Sequence, residues 1–429
     1  MVEHMKFDDL EIAHEAQNVH VVVVGAGIAG CAAAFHLLRS GVGKVTIIDP
    51  VEPGGSTTSA GAGFVSHWSA GMIDMGPEGL TLQQYGLDFY RALAELGQDI
   101  GYRARGTLML SLTPEGHEQH VRPVLESVHA PKEMQALDPA GIEKLTQGLV
   151  DTSRLYSAAY NPHGIQLETG KAIAVLGDLI REAGANMLIG SSVTGVEEHA
   201  SGVRVTLSEG DVIEADAVIL AAGAWNNSVL EQTGWKLPLL RVVATRILTD
   251  NRGLPGVSPT IQCRELRLWL RESYGSVLWG TAMGYRPFYQ LVGDIKREPP
   301  AGHQNFPELV EALHAHQRDV LEDYFPSLVG SSVQECVQGI ACYTPDNALL
   351  VGRVPGTKRI VVAGGDNESG VTHGPGMGRL AAEIATGRKV IADPHRFRLD
   401  RFEPAAFPDE AAVAAALEQH RVLRFREEA

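Results

Sequence analysis

Gly25, Gly27 and Gly30 stand in the run Gly-Ala-Gly-Ile-Ala-Gly, and Asp49 follows twenty-four residues after the first of them. The chemistry open to that set is recognition of a dinucleotide. A glycine in the first place permits a tight turn, one in the second lets the backbone approach a pyrophosphate, and one in the third lets a helix pack closely on a strand. The acid then accepts hydrogen bonds from a ribose. The elements that must position these residues lie on either side. Val21 to Val24 is a β-branched run too short for a helix, and it reads as a strand buried on both faces. Residues 31–39 carry helix formers with apolar spacing of three and four, stopped by Ser40-Gly41-Val42-Gly43. Lys44 to Ile48 is a second strand with Asp49 at its end. The intervening helix points unpaired N–H groups and a positive dipole end at any phosphate bound there.

A second loop, Gly54 to Gly63, reads GGSTTSAGAG. Its hydroxyls and backbone N–H groups suit more phosphate and a polyol chain, with a flexible linker as the competing reading. Downstream, residues 185–190, 192–197, 202–207 and 211–215 read as short strands. Two more buried strands, 217–223 and 359–364, end in glycine, and an alanine-rich helix is expected over Met377 to Thr386. Lys and Arg total 36 against 52 Asp and Glu, a formal charge of −16, so phosphate backbones and anionic lipid are repelled. Nucleic acid and membranes are therefore not expected as partners. Four scattered cysteines (Cys31, Cys263, Cys336, Cys342) write neither a disulfide framework nor a zinc site, and no other metal site is expected. Residues 1–17 lack the features of a signal peptide, and Val21 to Leu38 is too broken by glycine and His36 to span a bilayer. A soluble, cytoplasmic protein is the expectation.

The pattern as a whole resembles the FAD-dependent D-amino-acid-oxidase-like family, which includes glycine oxidase, sarcosine oxidase and dimethylglycine dehydrogenase. The segments that carry the resemblance are VVVVGAGIAG at 21–30, IIDP at 47–50, GGSTTSAGAG at 54–63, ADAVILAAGAW at 215–225, YTPDNALLVG at 343–352 and VVAGGDNESGVTHGPGMG at 361–378, with Asp400-Arg401-Phe402 as a closing motif. It implies an α/β architecture: a discontinuous Rossmann-type FAD-binding domain (18–92, 163–236, 337–394) and a mixed or antiparallel-sheet substrate domain (93–162, 237–336). Residues 1–17 and 395–429 are extensions, the latter with a helix. It also implies FAD held by Gly25, Ala26, Gly27, Ile28, Ala29, Gly30, Asp49 and Pro50, by Gly55, Ser56, Thr57, Ser59, Ala60 and Gly61, by Val193, by Ala222, Gly223 and Trp225, and by Gly365, Gly370, Val371, Thr372 and His373. Pro345-Asp346 matches a motif near the ring. A single dinucleotide fingerprint argues against a separate NAD(P)H domain.

The resemblance implies oxidation of a carbon–nitrogen bond: a hydride leaves the carbon for flavin N5, an imine forms, and water hydrolyses it. The substrate is a small amine or amino acid, and oxygen or a carrier takes the electrons. Relatives that oxidise hydroxy acids leave a second reading open. A non-catalytic or electron-passing subunit of a larger complex is a third. A carboxylate clamp calls for arginine. The pool is Arg241, Arg246, Arg264, Arg267, Arg271 and Arg286, with Tyr274 and Tyr285, in segments whose alternation suggests antiparallel strands over the flavin. Arg267 and Arg271, flanking a strand that resembles the substrate-facing one, are the candidates taken forward, with Trp269 and Trp279 as pocket walls. His373 falls close to where the family has a lysine that helps oxygen react, and His67 is a second histidine for the ring face. Ser59 and Gly339 occupy the places of the family's covalent attachment residues, so non-covalent FAD is expected, with Cys342 a buried core residue. His314 and His316, two apart on a helix, are expected to be solvated. The helix after Pro408, with Val413, Leu417 and Val422 in its stripe, is expected to pack on its own protein or on a second subunit.

Overall fold

The computed structural model describes residues 17–66, 75–281, 303 and 305–427 of the 429-residue chain. The valine run lies in β1 (Gln17–Val24), which pairs in parallel with β2 (Val42–Asp49) on one side and with the strand Ala217–Leu220 on the other. Side chains alternate across a strand, so the run serves two cores at once. Val21 and Val23 enter the core that holds Cys31, Ala33 and Leu37 of α1 (Ile28–Arg39), while Val22 and Val24 enter the core beneath the three-stranded sheet of residues 193–215. The six-stranded sheet runs Leu350–Arg353, Ile360–Gly364, Ala217–Leu220, β1, β2, Asn186–Ile189, and only the first of these is antiparallel to its neighbour.

An eight-stranded mixed sheet stands over it, in the order Val333–Tyr343, Leu240–Thr249, Ser276–Thr281, Leu268–Ser273, Thr260–Cys263, Thr107–Ser111, Ser157–Asn161, Gln135–Leu137. Every pairing is antiparallel except that of Thr260–Cys263 with Thr107–Ser111. One face, with Ile247, Trp279, Leu270 and Ile261, joins the core that includes Leu309 and Leu313 of the helix Pro307–Asp319. His314 and His316 on that helix are half-buried, and His316 Nε2 lies 3.2 Å from the Leu266 carbonyl. They are therefore not the solvated pair expected. The C-terminal helix Glu410–Glu427 buries Val413 and Leu417 in the same core, and Glu410 grips Arg241 through two side-chain contacts of 2.8 Å.

The helix expected from Met377 begins seven residues earlier, at Gly370, and runs to Thr386 with Pro375 inside it. Glycine and proline suggest a turn in sequence, but here they permit close packing. A Cβ on Gly374 would lie 2.6 Å from an Ile28 methyl, one on Gly376 2.7 Å from the Leu82 carbonyl, and one on Gly378 2.4 Å from the Ala29 carbonyl. Pro375 has no N–H for the carbonyl of Val371 four residues back. The Tyr90 hydroxyl donates to that carbonyl at 2.8 Å, so the break in the ladder is covered.

Two histidines lie in this packing. His36 meets the Tyr85 hydroxyl at 2.9 Å, His373 meets Gln83 Nε2 at 3.0 Å, and both come from the long helix Gly76–Glu95 as partners. Burial pushes both rings below 6.5, His373 to about 4. The unfolded chain binds these protons at higher pH than the folded one, so stability present above about pH 6.5 is lost as pH falls toward 4. For His373 the loss by pH 5 is about 2 kcal/mol. His373→Gln should flatten that acid limb, narrowing by a few degrees the fall in Tm between pH 7 and 5; an unchanged fall would refute the assignment. Gly378→Ala should push α1 and the Gly370 helix apart and cost about 1–3 kcal/mol, read as a lower Tm.

Candidate functional site

The turn after β1 is shaped by close approach. Gly25 has φ +106°, its N–H donates to the Ile48 carbonyl at 2.9 Å, and a Cβ on it would lie 2.4 Å from the Ala221 carbonyl. A Cβ on Gly30 would lie 1.9 Å from the Gly25 carbonyl, which is the tight strand–helix contact expected of the third glycine. Gly27 caps α1 with no side-chain bond, and no acid stands in the first turn. The Ile28 N–H donates to Thr58 Oγ1 at 3.1 Å, and the next two N–H groups of the helix precede its first internal bond, from Cys31 to Gly27. Asp49 Oδ2 accepts from the Ala26 N–H at 2.7 Å and Oδ1 from the Val51 N–H at 2.9 Å, which leaves lone pairs on both oxygens. Burial pushes this carboxyl up from its usual range, and the two backbone donors oppose that shift.

These residues line one cleft. Of the expected set it takes in Gly25, Ala26, Gly27, Ile28, Ala29, Asp49, Pro50, Ser56, Thr57, Val193, Ala222, Gly223, Trp225, Gly365 and Gly370. Gly30, Gly55, Ser59, Ala60, Gly61, Val371, Thr372 and His373 are not on its wall. Two of them are packed against protein: a Cβ on Gly55 would meet Glu52 and Val51, and one on Gly61 would meet Val371 and Thr169. Sequence reasoning missed Thr58, Ser228, Val229, Ile340, Met377 and Asp366, which do line it. Asp366 is a half-buried carboxyl that desolvation pushes up to about 6, against the backbone donors that hold it. The donor set fits an adenine dinucleotide. Asp49 and Glu52 suit a ribose, the free end of α1 a pyrophosphate, and Val193, Trp225 and Val229 an adenine.

The eight-stranded sheet, the roof of this cleft, meets it at its edge strand Val333–Tyr343. Thr57 Oγ1 accepts from the Ile340 N–H at 3.1 Å and donates to the Ile340 carbonyl at 3.3 Å, so one hydroxyl closes part of the open strand edge. Next to it, a Cβ on Gly339 would lie 3.0 Å from both Ala60 Cβ and Thr57 Cα. Ser59 Oγ donates to the Ser56 carbonyl and lies 2.6 Å from His303 Nε2. Cys342 is buried, and burial pushes its thiol well up.

The candidate catalytic residues do not gather as a set. Arg271 is fully buried and committed to the protein: Nε donates to the Ala62 carbonyl at 2.9 Å, Nη2 to the Leu167 carbonyl at 3.2 Å, and both terminal nitrogens meet Glu168 Oε1 at 3.4 Å. Its guanidinium therefore holds the 62–63 loop to the roof instead of clamping a free carboxylate. Arg267 is exposed in a turn with φ +52°, outside the cleft. His373 faces Gln83, and its ring, neutral at pH 7, is not the cation expected beside the ring of the cofactor. His67, Tyr285 and Arg286 lie outside the described residues. Asp346 takes Arg401 of the closing motif through two contacts of 2.8 and 2.9 Å, which ties the Leu399–Arg401 turn to the 344–346 turn. Trp269 does face the loop, its ring 6.0 Å from that of Phe64, whereas Trp279 points to the opposite core. Among the described residues no helix is long and apolar enough to cross a membrane.

The comparisons agree with this geometry. The 4-methylaminobutanoate oxidase (formaldehyde-forming) of Paenarthrobacter nicotinovorans is 26% identical over 388 residues, covering 86% of this chain and 44% of that protein. Glycine oxidase of Pseudomonas putida is 26% identical over 394 residues, covering 87% and 96%. Mitochondrial dimethylglycine dehydrogenase of Rattus norvegicus is 22% identical, covering 89% and 45%. The chain thus spans under half the length of the first and the last. Among solved structures, glycine oxidase from Geobacillus kaustophilus superposes with a TM-score of 0.71 at 22% identity, covering 90% of this chain and 100% of that one. L-amino acid deaminase from Proteus myxofaciens does so at 0.74 and 19%, covering 92% and 96%. A profile of the FAD dependent oxidoreductases matches residues 20–384, from β1 to the last turn of the Gly370 helix, and the chain belongs to that family, DAO.

Proposed function

We propose that this FAD-dependent enzyme oxidises the carbon–nitrogen bond of a small amine or amino acid to an imine that water hydrolyses, by deamination or N-dealkylation. The observation that carries the reading is the junction of Thr57 with Ile340, which seats the roof sheet directly on the loop that borders the cofactor cleft. A substrate held under that roof is set against the cofactor and away from solvent, so proximity does much of the catalytic work. The flavin, when bound, supplies the acceptor for the hydride. The protein supplies the rest. Asp49 and the end of α1 hold the adenosine and pyrophosphate, and Trp269, Phe64 and Leu278 offer an apolar wall. The division of labour proposed is that segments 18–92, 163–236 and 337–394 hold the cofactor and 93–162 and 237–336 hold the substrate. The strand Val333–Tyr343 crosses from one to the other. Oxygen or a carrier reoxidises the enzyme.

Purified protein is expected to carry non-covalent FAD, released intact by acid, and its absorbance near 450 nm should bleach anaerobically with secondary, tertiary or primary amino compounds (~ one equivalent per flavin, since one hydride carries both electrons). Flavin that stays oxidised against that panel would sink the reading, and bleaching by hydroxy acids alone would transfer it to alcohol oxidation. Asp49→Ala removes a charged acceptor from the ribose, so FAD should be retained about 10–100-fold less tightly, measured by titrating apoprotein.

A further inference from the structure

We propose that Asp366 binds the cofactor as an acid: its carboxylate takes a proton from water as the dinucleotide enters the cleft, and holds the coenzyme in the neutral form. The inference concerns loading of the cofactor, so it stands whichever bond the enzyme goes on to oxidise. It starts from charge. Among the described residues the cleft wall carries three carboxyl groups, Asp49, Glu52 and Asp366, and no lysine, arginine or histidine. An adenine dinucleotide brings a dianionic pyrophosphate to that wall, in a protein whose formal charge is −16. The free end of α1 offers it only about half a positive charge. The repulsion falls most when the least well held of the three acids is protonated.

Two of the acids have partners as anions. Asp49 accepts from backbone N–H groups at 2.7 and 2.9 Å, and a ribose hydroxyl adds a further donor. Glu52 is exposed and meets Arg181 at 3.1 Å. Asp366 follows the strand Ile360–Gly364, three places along the sheet from β2 and Asp49, and among the described residues no cation pairs with it. The Cys342 N–H reaches Oδ1 only at 3.4 Å, and Oδ2 lies 2.6 Å from where a Cβ on Gly370 would stand, so the carboxyl is packed against the start of the Gly370 helix. Desolvation already outweighs its backbone donors and lifts the group to about 6 while it is still half-buried. A dinucleotide seated on the wall removes the remaining water and sets its own negative charge nearby, and both effects favour the proton. The neighbouring titratable groups do not offset this. Cys342 is a buried, uncharged thiol, and Arg241 beyond it is held by Glu410. In the same turn Glu368 accepts from the Tyr343 hydroxyl, Asp346 is taken by Arg401, and His373 turns its ring to Gln83.

The test dilutes FAD holoenzyme and reads the released flavin by its fluorescence at about pH 6.5, 7.5 and 8.5. A bound state that holds one more proton than the free chain loses affinity as pH rises above the range of the free carboxyl, so the wild-type Kd should climb by close to 10-fold per unit above about pH 7. Recombining apoprotein with FAD at about pH 7.5, in two buffers of different ionisation enthalpy, should show uptake of about one proton per flavin. Asp366→Asn keeps the shape and cannot ionise. Its slope should flatten, the proton uptake should vanish, and at about pH 8.5 it should hold FAD at least about 10-fold tighter than the wild type. Glu52→Gln, which removes a different acid of the cleft, should keep both the slope and the proton. Melting temperatures of the apoproteins report folding in each variant. A wild-type Kd that does not change with pH, or an Asp366→Asn protein that keeps the slope, overturns the proposal. So does an Asp366→Asn protein that melts like the wild type and loses FAD equally at every pH, because the carboxyl would then bind as an anion. Whether amines bleach the flavin is a separate readout that judges the oxidase reading itself.

Discussion

A methyl group on Gly30 would sit 1.9 Å from the Gly25 carbonyl, and the rest of the molecule is arranged around that approach. Because the helix can come so near, its first turn ends directly over the carboxyl end of β1, where the unpaired N–H groups open into the cleft. Asp49 then reaches back from β2 to the Ala26 N–H, so the acid that would recognise a ribose also pins the turn. The same closeness recurs on the other side of α1. Gly378 brings the Gly370 helix against Ala29 and Ala33, and the start of that helix forms part of the cleft wall.

Positive charge is scarce in this protein, whose formal charge is −16. Arg271 shows how much of that charge is already spoken for. Its donors meet two backbone carbonyls of the cofactor-side loops and the carboxylate of Glu168, so removing it would leave Glu168 and these carbonyls partly unpaired inside the protein. A buried arginine with that many partners holds structure together.

Much of this was legible in the sequence. The valine run, the glycine spacing and the terminal aspartate gave β1, α1 and β2, because each of those signals is local. The strands Gly202–Leu207 and Ala217–Leu220 were legible for the same reason. What escaped depends on distant partners. The first two turns of the Gly370 helix look like loop unless Ile28, Leu82 and Tyr90 are known to lie against them. Ile340 and Met377 carry no mark of a ligand, and reach the cleft only through the pairing of strands and helices far apart in the chain. The arginines were visible as a type, but which of them looks toward the cofactor is a question of strand parity. Arg246 and Arg271 share a face with Leu278 only once the hairpin register is fixed, and Arg267 falls in the turn.

The order of strands in the six-stranded sheet also bears on how the protein is made. Ala217–Leu220 sits between β1 and Ile360–Gly364, so the third wall of the nucleotide cradle leaves the ribosome long after the first. Until then the nascent N-terminal half exposes an unpaired parallel edge and half of a hydrophobic floor, a state prone to wrong pairing. The cleft that would hold the coenzyme is therefore complete only once residues 363–377, which close its wall, have been made.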